Sequence, residues 1–455
     1  MSARRDESHG TMAISPPTRP TVFDELVPPL AEAEALVEAD RCLECGGPYA
    51  PAPCAVACPA EIDVPRFISA IAEGDAAEAA AVIWDANLLG ATCARVCPVE
   101  ELCVGACVTQ RETDGPIAIG RLQRFATDWA LERGYPLRGH THEQAGGKVA
   151  VIGAGPAGLV CAGELSALGH DVTVYDERPE PGGLVRYAIA PYRQNSAPLP
   201  DELRGLRELG VAFWFEHPVD AWELRKLVRT NDAVFLGVGM GEDVSARISG
   251  EHLAGVWPSL PFIEALKTGP PARVGERVAV IGGGNTAVDV AIEAKRLGAD
   301  EVTMLYRRTE AEMPAYAHEI ELARDEGVHI RFLTTPVRFI GSTHVEGIEC
   351  RAARLGEPDE SGRRRPEEIP GSDFVLPIDT AILAIGQQPR CELLESIDGV
   401  ELGRSMLVVD SDGRTGNAKV FAAGDATNGG ATVVEAVGGA KRAAKAIDAL
   451  IRSAP

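Results

Sequence analysis

The chain has no run of about 18 apolar residues, the length a membrane-crossing helix needs. Its first residues, MSARRDESHGTMAISPPTRP, lack the apolar core of a secretory signal, and residues 1–30 read as a flexible lead-in. Positive charge is scarce, with 44 Lys and Arg against 67 Asp and Glu and a net charge of −23. That balance disfavours nucleic acid or an anionic membrane as partner. No long basic run offsets it: Arg363-Arg364-Arg365 lies in a Gly/Pro/Glu-rich stretch and reads as an exposed turn. Together these absences predict a cytoplasmic protein, whose thiols stay reduced unless they bind metal or do redox work. At 455 residues the chain is too long for one core, and two or three domains are expected.

Cysteine is also scarce, except in one place. Of 11 cysteines, eight lie between Cys42 and Cys107. The segment CLECGGPYAPAPCAVACP is broken by Gly46, Gly47, Pro48, Pro51 and Pro53, so regular backbone cannot be what orders it. The cluster divides into Cys42-x2-Cys45-x8-Cys54-x3-Cys58-Pro and Cys93-x3-Cys97-Pro-x4-Cys103-x3-Cys107. Zinc is one reading, because Cys-x2-Cys pairs commonly bind it. The C-x3-C-P ending, present twice, resembles the end of the bacterial ferredoxin run and favours iron–sulfur clusters. Between the halves, VPRFISAIAEGDAAEAAAVIWDANLLG predicts two short amphipathic helices joined at Gly74-Asp75. Cys161 falls in a predicted helix beside small residues and reads as core filling. Cys350 and Cys391 have no partner in sequence, so the redox pair of a thioredoxin-reductase-like enzyme is missing.

Two dinucleotide signatures follow. KVAVIGAGPAGLVCAGELSALGHDVTVYDE predicts strand, glycine turn, helix and a second strand ending in acid. Gly153 permits the tight turn, Gly155 a close approach to pyrophosphate, and Gly158 the packing of helix on strand, with Pro156 and Ala157 completing the turn. Asp176 is placed to accept both ribose hydroxyls, and Glu177 is its rival. RVAVIGGGNTAVDVAIEAKRLGADEVTMLYRR repeats the pattern with Gly282, Gly284 and Ala287, Asn285 and Thr286 opening the helix. Its second strand ends in Arg307 and Arg308, which suit a 2′-phosphate and favour NADPH over NADH; ion pairs with Glu310 or Glu312 are the alternative. Near the C-terminus, VFAAGDATNGGATVVEAVGG predicts a strand, Gly424-Asp425 and a long helix from Thr432 or Val433, whose positive end would stabilise a reduced flavin.

The order cysteine-rich head, GAGPAG, GGLVRY, GGGNTAVD, LYRR, ILAIGQQP and AAGDA resembles the small (β) subunit of glutamate synthase and the electron-input half, or separate bacterial subunit, of dihydropyrimidine dehydrogenase. The resemblance covers roughly residues 35 to 450. It implies an α/β fold of two nested Rossmann-like domains, for FAD and NAD(P)H, preceded by a helical domain with two [4Fe–4S] clusters. The implied boundaries are 31–146 for the cluster domain, 147–270 with 391–455 for the FAD domain, and 271–390 for the NAD(P)H domain. Carried over by position, Cys42, Cys45, Cys54 and Cys107 would hold one cluster. Cys58, Cys97 and Cys103 would hold the other, with Gln123 of GPIAIGRLQ as fourth ligand and Cys93 as its rival. Gly182, Gly183 and Leu184 match the family's turn beside the flavin, Gly386 falls in the ILAIGQQP motif, and Asp425 matches the FAD-binding aspartate. After GGLVRY the chain departs from the glutamate synthase pattern, lacking the lysine-bearing segment usual there.

The implied chemistry needs no side-chain acid or base: a flavin converts the hydride of NADPH into single electrons for the clusters. No residues remain for a substrate barrel, so a larger catalytic subunit with its own flavin or cluster is the expected partner. A stand-alone reductase of a ferredoxin-like carrier and a non-catalytic zinc- or flavin-binding scaffold are the alternatives.

Overall fold

The structure, a computed structural model, describes residues 21–47, 49–138, 146–195, 197–269, 272–359, 362–403 and 406–453. Most of the expected lead-in, residues 1–20, lies outside the described residues. The head is helical. Asp63 accepts the Arg66 N–H at 3.3 Å and starts the helix Val64–Ala72; Asp75 accepts the Glu78 N–H at 2.9 Å and starts Ala76–Ala86. These are the two helices expected on either side of Gly74-Asp75. Their apolar faces pack with Gly90–Val96 and Ile119–Glu132 through Phe67, Ile83, Leu89 and Leu122.

Two parallel five-stranded sheets follow. The first has the order Val420–Ala422, Ala233–Leu236, Lys148–Ile152, Asp171–Tyr175, Ala212–Trp214. The second has the order Val256–Pro258, Thr380–Leu383, Arg277–Ile281, Glu301–Leu305, His329–Arg331. The first sheet recovers its last strand only after the second is complete, so the second module is inserted into the first. Continuous apolar runs such as VAVI, in Val149–Ile152 and Val278–Ile281, are what a strand covered on both faces requires.

A three-stranded antiparallel sheet, Arg364–Pro377, Gly347–Pro358 and Thr334–Ile340, flanks the second module. Here the sequence expectation fails: Arg364 and Arg365 open an outer strand, not a turn. An edge strand with both faces in water tolerates proline and charge, so its composition resembles a loop.

The cores divide unevenly. Phe67, Ile83 and Leu122 of the head share one continuous core with Val151, Leu159 and Val174 of the first sheet module and with Val437 and Ile447 of the C-terminal helix Val433–Ser453. The second module packs around a separate core of Phe262, Val280, Val290, Met304 and Ile382, which also takes in Ala190 and Tyr192 from the first module. Its junction with the first module is strongly polar. Tyr192 Oη and Arg193 Nε both donate to Asp289 Oδ1, at 2.7 and 2.8 Å, and Arg193 also pairs with Glu319. Lys267 Nζ donates to the carbonyls of Val185, Ile189 and Gln194 at 2.8, 2.8 and 3.0 Å. Among the described residues, no helix is long and apolar enough to cross a membrane.

Candidate functional site: two thiol groups and two nucleotide turns

Cys42, Cys45, Cys54 and Cys107 line one pocket, walled by Val64, Ile68, Ile117 and Ile119 and rimmed by Leu43 and Val108. Burial raises the Cys42 thiol and pushes Cys54 up to about 11, so a metal entering here displaces protons. The second group is deeper. Cys97 lies against Cys93, one turn earlier on Gly90–Val96, and Cys58 and Cys103 lie within electrostatic reach. The Cys93 contact and burial raise Cys97; burial pushes Cys103 up to about 12. Gln123 is buried, and its Nε2 donates to the Gly90 carbonyl at 2.7 Å, at the start of that same helix. Cys93 thus borders the second group, and Gln123 is tied to the start of the helix that carries Cys93. Among the described residues, no three His, Cys, Asp or Glu side chains are placed to hold a single metal ion. The two groups of cysteines, half-buried apart from buried Cys93 and the first walled by apolar side chains, fit the mainly sulfur ligation of an iron–sulfur cubane.

The helix carrying Cys93 and Cys97 is held from the neighbouring module. Glu202 Oε1 accepts the N–H groups of Ala91 and Thr92 at 2.9 and 3.1 Å, and its Oε2 accepts the Thr92 hydroxyl at 2.5 Å. Burial pushes this carboxyl up to about 7 against the pull of those donors. Nothing around Glu202 in the sequence announces this role, which arises from a contact across 110 residues.

The first nucleotide turn is built by close backbone contact. A Cβ on Gly158 would lie 1.9 Å from the Gly153 carbonyl oxygen, so only glycine lets the helix Pro156–Ala167 begin there. Gly182 N–H donates to the Ala154 carbonyl at 2.8 Å, and a Cβ on Gly183, at φ +52°, would lie 2.8 Å from Gly155 Cα. The expected GG turn thus sits directly on the pyrophosphate turn, with Leu184 left exposed beside it. Asp176 is half-buried at the end of its strand, accepting the Ala154 N–H at 2.6 Å and the Arg178 N–H at 2.7 Å; burial raises its pKa. Glu177, its rival, is committed to Arg390 at 2.6 Å. Gly424 packs against Ala157, which brings Asp425 to the same turn. Asp425 accepts the Ala431 N–H at 3.2 Å, and burial raises its pKa. Thr432 caps the C-terminal helix, exchanging hydrogen bonds with Glu435, and Val433 is its first residue. Gly237, absent from the sequence expectation, supplies the carbonyl packed under Gly153; the signal was the apolar strand AVFL running into GVGMG.

The second turn repeats this grammar. A Cβ on Gly282 would fall 2.2 Å from the Ala384 carbonyl oxygen, and Ala287 is fully buried in the packing role. Gly284 N-caps the helix Asn285–Arg296, with Thr286 exposed and Asn285 Oδ1 accepting the Tyr316 N–H at 3.0 Å. The two arginines part company. Arg308 is buried, paired with Asp359 at 2.9 Å and donating to the Arg364 carbonyl at 2.7 Å, whereas Arg307 is exposed. Glu310 pairs with Arg324 instead, and Glu312 turns back to Thr309. Gly386 lies in the crossover between the modules, its carbonyl accepting the Val244 N–H at 2.8 Å beside the Asp243–Gln387 bridge.

Comparison with known proteins accords with this arrangement. Residues 19–135 match the family described as dihydropyrimidine dehydrogenase domain II, 4Fe-4S cluster, and residues 147–440 match pyridine nucleotide-disulphide oxidoreductase. The chain is 37% identical over 446 residues to the glutamate synthase [NADPH] small chain of Halomonas elongata, covering 94% of this chain and 93% of that one. It is 38% identical over 438 residues to the NADP(+)-dependent formate dehydrogenase subunit beta of Moorella thermoacetica, covering 89% of this chain and 60% of that one. FprA of Mycobacterium tuberculosis, solved with NADPH, superposes with a TM-score of 0.55 at 20% identity over 67% of this chain and 84% of its own, a likeness of fold. The chain belongs to the glutamate synthase small-chain family, FAD-dependent NADPH oxidoreductases with a [4Fe-4S] head.

Proposed function

We propose that this protein is an electron-input subunit: it oxidises NADPH and passes single electrons through two [4Fe–4S] clusters to a larger catalytic subunit. The observation that carries the reading is the shared core, which builds both thiol groups and the first nucleotide turn into one packed body. When bound, FAD supplies the exchange between a hydride pair and single electrons. The chain's own residues do the holding. Gly153, Gly155, Pro156, Ala157 and Gly158 bring backbone amides to a pyrophosphate at a helix N-terminus, with Gly182, Gly183 and Leu184 closing over it. Asp176 is the ribose acceptor, a role supported by its bond to the Ala154 N–H of that turn; Gly424, Asp425, Thr432 and Val433 complete the flavin side.

In the second module, Gly282, Gly284, Asn285, Thr286 and Ala287 form the NADPH cradle. Arg307 is free to meet a 2′-phosphate, while Arg308, tied to Asp359, supports the loop. Cys42, Cys45, Cys54 and Cys107 hold the cluster nearer the surface. Cys58, Cys97, Cys103 and Gln123 hold the inner one, with Cys93 as the competing ligand. The proposed boundaries are 31–146 for the head, 147–255 with 391–455 for the FAD module, and 256–390 for the NADPH module; the expected break at 270 moves because the strand Val256–Pro258 pairs in the second sheet and the helix Ser259–Thr268 packs in its core. Relatives named as a small chain and as a subunit beta support a larger partner, and their different names leave its substrate open.

The test is metal, sulfide and flavin analysis of anaerobically purified protein, then affinity isolation of its complex. Iron and sulfide for two cubanes, one FAD and a stoichiometric large subunit are expected. Zinc in place of iron, or a chain always isolated alone while still reducing a ferredoxin-type carrier, would contradict the reading.

A further inference from the structure

The C-terminal helix Val433–Ser453 starts beside Asp425 at the flavin turn and then runs along the head. A Cβ on Gly438 would lie 2.3 Å from the Pro59 carbonyl oxygen, so the helix backbone and the Cys58-Pro59 turn meet with no side chain between them. One turn further, Lys441 Nζ donates to the carbonyls of Ala60 and Ala86 at 2.7 and 2.6 Å. Ala60 closes the turn after Cys58, and Ala86 ends the helix Ala76–Ala86. Lys441 is half-buried; burial lowers its pKa, while Glu164, Glu61 and the Cys58 sulfur favour its charged form against Lys445. Two carbonyl acceptors suit an ammonium group, which has donors only.

We propose that Lys441 is a positioning residue for electron passage between flavin and head: it locks the Cys58 turn onto the C-terminal helix and sets a positive charge beside the inner cluster. One-electron reduction adds a negative charge to a cluster, and a nearby cation in a low-dielectric setting stabilises that added charge. Lys441 therefore raises the reduction potential of the inner cluster and leaves that of the Cys42 pocket unchanged. The inference rests on the cluster reading above.

The experiment is an EPR-monitored redox titration of the full holoprotein, wild type against Lys441→Met, Lys441→Arg and the exposed control Lys445→Met. Iron analysis of the wild type comes first, because a chain without iron would fail the functional reading itself. With clusters present, Lys441→Met lowers one cluster potential by about 59 mV, a tenfold change in a one-electron equilibrium. The other cluster keeps its potential, Lys441→Arg restores the first, and Lys445→Met changes neither. Where Lys441→Met does not fold, Lys441→Gln, which keeps a donor and loses the charge, is the variant read. Unchanged potentials on loss of the Lys441 charge, or an equal shift in Lys445→Met, would overturn the proposal.

Discussion

The two nucleotide modules use the same glycine turn but are joined to their surroundings in opposite ways. The first shares an apolar core with the cysteine-bearing head, through Leu159 and Val437 on one side and Phe67 and Leu122 on the other. The second has a separate core, into which the first inserts only Ala190 and Tyr192 among the described residues, and it meets the first chiefly through the polar bonds of Arg193, Asp289, Glu319, Tyr192 and Lys267. An apolar core fixes distance, because close packing leaves few alternative arrangements. A polar junction fixes orientation with directional bonds that water can replace. The difference suits an electron route whose flavin-to-cluster gap stays constant while a soluble nucleotide comes and goes next door.

The largest effect should come from breaking the turns themselves. Gly158→Val forces a side chain into the Gly153 carbonyl, so flavin is lost and the head loosens with it through the shared core. Gly282→Val makes the equivalent clash with Ala384, yet should abolish only reduction by NADPH, with flavin and iron retained in absorbance and metal assays. Next come the cores: Phe67→Ala and Phe262→Ala each empty a fully buried site, at about 3–5 kcal/mol. Because the two cores are separate clusters, thermal release of flavin should move to lower temperature with Phe67→Ala and stay in place with Phe262→Ala.

A smaller effect separates the two arginines. Arg307→Ala should raise KM for NADPH about tenfold, the loss of one charge-assisted contact, and leave NADH kinetics unchanged. Arg308→Ala would instead lower stability, because Asp359 loses its buried partner. The smallest expected effect is a slope in stability against pH. Burial raises the Glu202 carboxyl from 4.5 to about 7, so the folded state holds this proton more tightly than the unfolded state. Its contribution is full below about pH 4.5 and is lost as pH rises through about 7. Glu202→Gln should flatten that part of the profile in denaturant titrations. An unchanged slope would mean that Glu202 is already ionised in the folded protein at low pH.

Much of this was legible in the chain because it is local. Cys42-x2-Cys45, GAGPAG, GGGNTAVD and the Gly74-Asp75 break between two head helices each act over a few residues, and their chemistry is written in their spacing. The parts that escaped are long-range. Gly237 under Gly153, Glu202 on the cysteine helix and Lys441 on the head all work through partners at least 80 residues away, where no local pattern records the contact. The arginine triplet misled for a different reason: a solvated edge strand and a turn draw on the same polar residues, and only pairing with Gly347–Pro358 distinguishes them.

The central claim is tested most directly by an anaerobic titration of the purified holoprotein with NADPH, followed by absorbance and EPR on the same sample. Flavin bleaching accompanied by a signal from reduced iron–sulfur clusters, in the absence of any partner, is the predicted result. Flavin bleaching that leaves the cysteine head silent while dithionite reduces it would contradict the account, because the shared core would then join two sites between which no electrons pass.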